Sequence, residues 1–181
     1  MTTYSYIFAR GGSKGIPKKN LKKINNKPLL AHSINIALNI KEIKRCFVST
    51  DCPEISATAI KYGAEVIKRP KYLSEDDSSE WLGWKHAVDW TNKNYGSFDK
   101  FISIPTTAPL RIKSDIEKCL KALDSKSDIV ITITDSHRNP FFNMVKSENG
   151  YLKRVIDNDK KFFRRQDAPE VYDMTTIAYV T

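Results

Sequence analysis

The first 134 residues alternate short apolar runs with longer amphipathic segments. The runs are rich in β-branched and aromatic residues, as in buried strands, whereas the longer segments repeat apolar residues at helical spacing. Five strands are predicted, at Tyr4–Ala9, Arg45–Thr50, Ala64–Lys68, Phe101–Ile104 and Asp128–Thr134. Four helices are predicted between them, at Pro28–Ile40, Pro53–Tyr62, Asp76–Asn94 and a segment opened by the capping box Ser114-Asp-Ile-Glu117.

This alternation indicates an α/β fold. Strands that are apolar almost throughout favour a parallel sheet covered on both faces, because connections between parallel strands place helices there. We therefore expect a Rossmann-like, three-layer parallel sheet with helices on both faces. Ligands of such sheets bind at the carboxyl ends of the strands.

The pattern changes after Thr134. Phe141–Val145 and Tyr151–Val155 flank a Glu-Asn-Gly turn signal and predict a β-hairpin, which the charged segment Asp157–Asp167 follows. Thr176–Thr181 is predicted to return to the sheet as a strand. The predicted domains are therefore an α/β domain at 1–135 and 170–181, and a dimerisation arm at 136–169.

The predicted arm carries more apolar surface than a free hairpin can expose to water. Its apolar residues include Phe141, Phe142, Met144, Val145, Tyr151, Leu152 and Val155. We therefore expect a two-fold homodimer in which each arm packs on the other subunit.

The segment from Arg10 to Asn20 directly follows the first predicted strand. Its three glycines, Gly11, Gly12 and Gly15, are expected to allow positive φ angles and a close approach of the backbone to a ligand. Its cations are Arg10, Lys14, Lys18 and Lys19. Such a loop suits a triphosphate. Neither the G-x-G-x-x-G spacing nor a Gly-Lys-Ser/Thr sequence occurs here, which disfavours a dinucleotide site and a P-loop.

The charge of the chain points to an acidic ligand. No Asp or Glu precedes Glu42, and the formal net charge is +9 with a pI near 9.4. Composition alone leaves open a small phosphorylated molecule, a nucleic acid or a solvated basic surface.

The cellular compartment is inferred from the spacing of the cysteines and from the length of the apolar runs. The three cysteines lack the spacing of a zinc site or a disulfide framework, which favours a reducing interior. No signal peptide and no membrane-spanning run is recognised, so we expect a soluble, cytoplasmic protein.

The motif Arg10-x-x-Ser13-Lys14-Gly15-x-Pro17-x-Lys19-Asn20 resembles the nucleotide loop of the acylneuraminate cytidylyltransferases, the CMP-sialic acid synthetase family. Further motifs follow in the family's order: Val48-Ser-Thr-Asp51, Arg69-Pro70, Asp76-x-x-Ser79, Pro109-Leu-Arg111 and Arg165-Gln166-x-x-Pro169. The resemblance implies transfer of CMP from CTP to a nine-carbon 2-keto acid sugar, with release of pyrophosphate. It also implies Mg²⁺ as cofactor, a homodimer whose arm closes the partner's sugar site, and no nucleic-acid or membrane partner.

The resemblance also implies roles for particular residues. Lys19 would lie nearest the reacting phosphate, with Arg10 as a second catalytic cation. The nucleotide-binding residues would be Arg10, Gly11, Gly12, Lys14, Lys19, Asn20, Arg69 and Ser79, and the sugar-binding residues Arg165, Gln166 and Thr175. Arg165 would hold the sugar carboxylate through its planar guanidinium. No metal ligand is assigned.

Several of these residues have a structural alternative. Asn20 is equally plausible as a turn residue, Ser79 as a helix cap, and Arg165 as part of an exposed connector. Asp51 could reach a ligand or a metal, but we favour a cap on the helix that begins at Pro53. The tryptophans of the third helix are expected in the core, and a metal or acid-base role for the three histidines is disfavoured.

The chain departs from the family at three points. Pro105 stands where the family usually has a glutamine, and Thr175-Thr176 where it commonly has Asn-Gly. Both changes touch the sugar side, so the acceptor need not be the common sialic acid. The family carries a late Asp-x-Asp metal motif, and the sequence reaches Thr181 before any such segment. Two alternatives are open: the sequence belongs to a longer chain, or it is a short, catalytically impaired nucleotide- and sugar-binding remnant.

Overall fold

The computed structural model describes residues 1–157 and 162–181, and these divide into two compact units. The first unit comprises Met1–Thr132 and Thr176–Thr181, and the second comprises Ile133–Thr175. The strands are β1 Thr3–Phe8, β2 Lys23–Ile24, β3 Lys27–Pro28, β4 Ile43–Thr50, β5 Glu65–Lys68, β6 Lys100–Ser103, β7 Val130–Asp135, β8 Val145–Glu148, β9 Tyr151–Arg154 and β10 Tyr172–Val180. The helices are α1 Leu29–Leu38, α2 Pro53–Lys61, α3 Glu80–Tyr95 and α4 Lys113–Ala122.

Six strands form one sheet in the order β5-β4-β1-β6-β10-β7. β1 pairs in parallel with both β4 and β6, and β4 pairs in parallel with β5. The predicted Rossmann-like α/β fold is thus confirmed. The sheet is not wholly parallel, however, because β10 runs antiparallel to β6, with Tyr179 opposite Ser103.

The two faces of β1 explain why helices cover both sides of the sheet. Ile7 and Ala9 belong to one buried cluster, which includes residues of α1, α2 and α4. Tyr4 and Tyr6 point the other way and pack with Phe47 in a second, aromatic cluster against α3. Alternate side chains of a strand face opposite sides, so one apolar run supplies both interior layers.

The sequence pattern predicted which helices and strands form more accurately than where each one begins and ends. α4 forms where predicted, but it begins at Lys113, and the Asp115 carboxylate accepts a hydrogen bond from the backbone N–H of Ile112 at 2.9 Å. The capping box predicted on Ser114 and Glu117 was therefore wrong. The short β2–β3 hairpin was missed, although its Asn25-Asn26 turn has positive φ at both residues, which asparagine tolerates better than most residues.

The second unit contains the predicted hairpin. β8 and β9 are joined by Asn149-Gly150, whose φ angles are 52° and 82°, as the turn signal requires. The first strand begins at Val145 rather than Phe141, because the Asn139 carbonyl accepts backbone hydrogen bonds from residues 142–144 and turns the chain there. Residues 158–161 of the predicted charged segment Asp157–Asp167 lie outside the described residues.

Candidate functional site

A cleft of about 700 Å³ opens in the first unit at the carboxyl ends of the parallel strands. Six of the eight residues predicted to bind nucleotide line it: Arg10, Lys14, Lys19, Asn20, Arg69 and Ser79. Gly11 and Gly12 follow Arg10 in the same loop without lining the cleft. The sequence motifs after β1, β5 and β6 thus come together at one edge of the sheet.

Arg10 and Lys14 share one carboxylate. Arg10 Nη2 lies 3.0 Å from Asp76 Oδ1, and Lys14 Nζ lies 2.7 Å from Asp76 Oδ2. The guanidinium of Arg10 also donates to the Glu75 carbonyl at 3.0 Å, which holds it at the wall of the cleft. The hydrogen bond from Lys14 lowers the pKa of the Asp76 carboxyl below its ordinary value, so Asp76 is an anion at neutral pH.

Lys18 and Lys19 are turned to different surroundings. Lys18 has a left-handed backbone (φ 52°) and pairs with Glu54 at 2.8 Å. Lys19 begins a short 3₁₀ turn and lines the cleft. Within residues 1–157 and 162–181, no carboxylate forms an ion pair with Lys19, so its charge is available to a ligand.

The loop glycines differ from the expectation, since none of Gly11, Gly12 and Gly15 has a positive φ. A Cβ on Gly11 would lie 3.0 Å from the Cβ of Cys52, which is tighter than an ordinary van der Waals contact, so a side chain there would press against Cys52. A Cβ on Gly12 or Gly15 would have no described neighbour within 4 Å, which leaves room for a ligand beside the backbone.

These surroundings predict that alanine substitutions at two neighbouring glycines affect different properties, the melting temperature at Gly11 and ligand binding at Gly12. Gly11→Ala should lower the melting temperature, because the backbone must shift away from Cys52. Gly12→Ala should leave the melting temperature within about 2 °C, because its methyl group would meet open space rather than other residues. The resemblance implies that a nucleotide contacts this backbone, and a methyl group in that space should then weaken CTP binding. Thermal unfolding and calorimetric CTP titration of both variants test this. A Gly12→Ala protein that binds CTP like the wild type would rule out a close backbone contact there.

Asn20 is buried and both ends of its amide are engaged. Its Nδ2 donates to the Arg10 carbonyl at 3.2 Å, and its Oδ1 accepts from Thr106 Oγ1 at 2.8 Å. The side chain thereby ties the loop after β1 to the segment after β6. This contact was not foreseen, since it joins residues 86 positions apart.

Arg69 is a fixed, buried cation at the cleft floor. Its Nε and Nη2 donate to the hydroxyl and carbonyl of Ser49 at 3.1 and 3.0 Å. Its guanidinium carbon lies 5.5 Å from the centre of the Phe8 ring. Burial lowers the pKa of Arg69 below its ordinary value, yet an arginine remains charged at neutral pH.

The structure overturns the expectations for Asp51 and Trp81 and places Ser79 at a helix start. Asp51 does not cap α2: its Oδ1 accepts from the backbone N–H of Gly11 at 2.9 Å, because the chain after β1 passes beside the end of β4. Ser79 occupies the N-cap position of α3 without a side-chain capping hydrogen bond, and it lines the cleft. Trp81 was expected in the core but is 68% exposed, whereas Trp84 packs 5.1 Å from the ring of Phe101.

The segment that contains Pro105 is held through its backbone. Ser33 Oγ donates to the Pro105 carbonyl at 3.1 Å, and Arg111 Nη2 donates to the same oxygen. Burial lowers the pKa of the Arg111 guanidinium to about 10. Thr107 follows, and its hydroxyl lies 3.0 Å from that of Thr176 in β10. The sequence assigned no role to Thr106, Thr107 or Tyr179, and it placed Thr176 on the sugar side, but all four line the cleft. Their position just after β6 or in β10 was the available signal.

The residues predicted to bind the sugar lie in the second unit. Arg165 and Gln166 line a separate cavity of about 590 Å³ with Ser136, Asn139 and Tyr172 among its other walls. Arg165 Nη2 donates to the Ser136 carbonyl at 2.7 Å. Thr175 lies in β10 and does not line this cavity.

The described residues contain no group of three or more His, Cys, Asp or Glu side chains able to cage a metal ion. Magnesium bound to nucleotides needs no such cage, since triphosphate oxygens, waters and one or two carboxylates suffice. Besides Asp76, whose oxygens pair with Arg10 and Lys14, Glu75 and Glu80 supply carboxylates in the cleft wall. The donor set thus fits a magnesium ion that enters on a triphosphate.

A mostly parallel sheet with a cationic loop after β1 and a cleft at the strand ends defines a nucleotide-binding α/β protein. The cytidylyltransferase family model matches residues 6–180, and the chain belongs to this family. It is 37% identical over 177 residues to the CMP-N,N'-diacetyllegionaminic acid synthase of Campylobacter jejuni, covering 96% of this chain and 74% of that one. Post-translational flagellin modification protein B of Campylobacter coli matches with the same identity and coverage.

The fold also resembles a solved structure of CMP:2-keto-3-deoxy-manno-octonic acid synthetase complexed with CTP. The two share a TM-score of 0.69 and 20% sequence identity, over 99% of this chain and 73% of the other. This likeness independently supports the Rossmann-like architecture.

Proposed function

We propose that the protein transfers CMP from CTP to a nonulosonic, sialic-acid-like 2-keto acid sugar and releases pyrophosphate. The observation that carries the proposal is the convergence of Arg10, Lys14 and Lys19 in one cleft, in a chain of the cytidylyltransferase family. The choice of a nonulosonic acid follows the 37% identical relative that is named as a CMP-N,N'-diacetyllegionaminic acid synthase.

In this reaction the anomeric hydroxyl of the sugar attacks the α-phosphorus of CTP. A bond forms between the hydroxyl oxygen and the α-phosphorus, the bond from the α-phosphorus to the α,β-bridging oxygen breaks, and pyrophosphate leaves with that oxygen and its electron pair. The hydroxyl proton passes to solvent. The protein contributes alignment and charge stabilisation, which are the main terms in phosphoryl transfer. Arg10 and Lys14 bind the triphosphate, and Lys19 stabilises charge on the reacting phosphate. Magnesium, when bound to the triphosphate with the cleft carboxylates, supplies additional neutralisation.

The two ends of the substrate pair are assigned to different residues. Arg69 and Ser79 hold the cytidine end of CTP in the cleft, and the fixed position of Arg69 on Ser49 supports this role. Arg165 binds the sugar carboxylate, with Gln166 and Thr175 on the sugar side. The planar guanidinium suits a carboxylate because it can donate two parallel hydrogen bonds.

The sugar site is proposed to be completed across a homodimer. Val145 and Leu152, which share one face of the hairpin, are 56% and 73% exposed. Apolar side chains on a two-stranded ribbon favour a covering surface, and a second copy of the chain can supply it symmetrically.

A cytoplasmic location is proposed because all three cysteines are free. Among the described residues, no helix combines the length and apolar character needed to cross a bilayer. Neither a nucleic acid nor a membrane is proposed as a partner.

Thermal unfolding with nucleotides tests the cytidine assignment. At a CTP concentration about 100 times its Kd, binding adds about 2.7 kcal/mol to the free energy of unfolding. For a chain of this size that corresponds to a rise of roughly 5–10 °C in Tm. With Mg²⁺ present, CTP should raise Tm more than ATP or GTP does. Equal shifts for the three nucleotides would count against a cytidylyltransferase.

A further inference from the structure

One carboxylate in the cleft forms ion pairs with two of the cations that are proposed to bind the triphosphate. Asp76 accepts from Arg10 with one oxygen and from Lys14 with the other, at 3.0 and 2.7 Å. Its two oxygens are therefore placed as two oxygens of a bound phosphate group would be. A ligand phosphate that contacts both cations must replace this carboxylate.

The surroundings allow such an exchange. Arg10 is retained at the cleft wall by the Glu75 carbonyl, so its position does not depend on Asp76 alone. The Asp76 side chain is 49% exposed and lies between the 3₁₀ turn Lys71–Leu73 and the start of α3, so water can solvate it once it leaves. The Lys14 side chain is 75% exposed and can follow a ligand.

We propose that Asp76 acts as an internal competitor for the phosphate position. Its carboxylate neutralises Arg10 and Lys14 in the free protein and exchanges with ligand phosphate when CTP binds. This inference rests on the proposed function, in which the cleft takes a triphosphate.

The exchange favours ligands with several phosphates. A single phosphate gains Arg10 and Lys14 only by displacing Asp76, so its net gain is small. A longer polyphosphate also reaches Lys19, which has no carboxylate partner among the described residues. Its contact with Lys19 therefore displaces no carboxylate and adds fully to binding. After pyrophosphate has left, the return of Asp76 to the two cations promotes release of the CMP-sugar, which has one phosphate. Asp76 is thus a specificity-determining residue rather than a catalytic one.

Pyrophosphate binding to Asp76→Asn tests the proposal, with titrations in EDTA so that no metal contributes. The amide keeps the shape and removes the competing charge. Since two exposed ion pairs are removed, pyrophosphate should bind roughly 3- to 10-fold more tightly. Cytidine, which has no phosphate, should bind equally to both proteins.

Asp77→Asn is the matched control, because Asp77 is exposed, lies one residue away and does not line the cleft. It removes the same charge and should change pyrophosphate affinity less than twofold. In a Lys14→Met background the Asp76→Asn effect should shrink, because one of the two pairs is already gone. Unchanged or weaker pyrophosphate binding by Asp76→Asn, or an equal gain from Asp77→Asn, would overturn the proposal. Pyrophosphate contains no base, so a failure of CTP selectivity would reject the proposed function and leave this result interpretable.

Discussion

Lys19→Ala should lower kcat by about 100-fold or more and leave the fold intact. Lys19 lines the cleft, and no described carboxylate neutralises it. A cation that meets charge developing on the reacting phosphate acts mainly in the transition state, so its loss should lower kcat more than it raises KM for CTP. The side chain belongs to a surface turn rather than to either core cluster, so Tm should change by less than about 2 °C. Steady-state pyrophosphate release and thermal unfolding measure the two effects.

Lys22→Ala provides the control for this experiment. Lys22 follows the same 3₁₀ turn, is exposed and does not line the cleft. Its removal lowers the positive charge of the loop equally and should reduce kcat less than threefold. An unchanged kcat in Lys19→Ala would reject Lys19 as the residue at the reacting phosphate. Equal losses in both variants would indicate a general charge effect.

Val145→Asp combined with Leu152→Asp should convert a dimer into monomers that still bind CTP but no longer turn over the sugar. In the hairpin register, Val145 pairs with Arg154 and Leu152 with Ser147. The two apolar residues therefore share one face of the ribbon, and both are largely exposed. Two carboxylates on that face would be buried without partners if a second subunit covered it, which is strongly unfavourable. Sedimentation velocity and CTP titration measure the outcome.

The choice of residues depends on the structure. By sequence alone, Phe141 and Phe142 are equally good candidates for an interface substitution. In the structure, however, Phe141 packs against Phe162 inside the second unit, with ring centres 6.2 Å apart. Substitution there would disturb the unit itself. Lys146→Asp on the opposite face of the hairpin is the control and should leave the dimer intact. A wild-type protein that sediments as a monomer at micromolar concentration would contradict both the dimer and the shared sugar site.

The parallel sheet could be predicted because each strand is specified locally. Thr3–Phe8 and Ile43–Thr50 are mainly apolar runs whose alternate side chains face opposite layers of the fold. This pattern is visible in the sequence of each strand and does not require knowledge of long-range contacts. The gathering of Arg10, Arg69 and Pro105 at one edge follows from parallel topology, since motifs that end parallel strands meet at the same edge.

The contacts that define the cleft could not be predicted in the same way. Asp51 was expected to cap a helix, but its carboxylate accepts from Gly11, 40 residues earlier. A sequence window contains Asp51 and the start of α2, so it favours the local partner over the distant one. The ion pairs of Asp76 with Arg10 and Lys14 are likewise long-range, and the sequence identified Asp76 only as part of a motif.

Errors in the loop and the arm have a different origin. The glycines after Arg10 were expected to adopt positive φ, but glycine also serves where a Cβ would collide, as at Gly11 beside Cys52. The hairpin turn was recognised because Asn149-Gly150 encodes it locally. The start of its first strand was predicted too early. The chain before Val145 is also largely apolar, but its backbone N–H groups at residues 142–144 donate to the Asn139 carbonyl and form a turn.

Pyrophosphate release from CTP in the presence of a panel of nonulosonic acids tests the central claim most directly. With Mg²⁺, release should require both CTP and one of the acids, and ATP or GTP should not replace CTP. Cytidine and phosphate binding without release for any acid would contradict an active CMP-sugar synthetase and would support a binding remnant instead. Release that proceeds equally with ATP would contradict the cytidylyltransferase assignment itself.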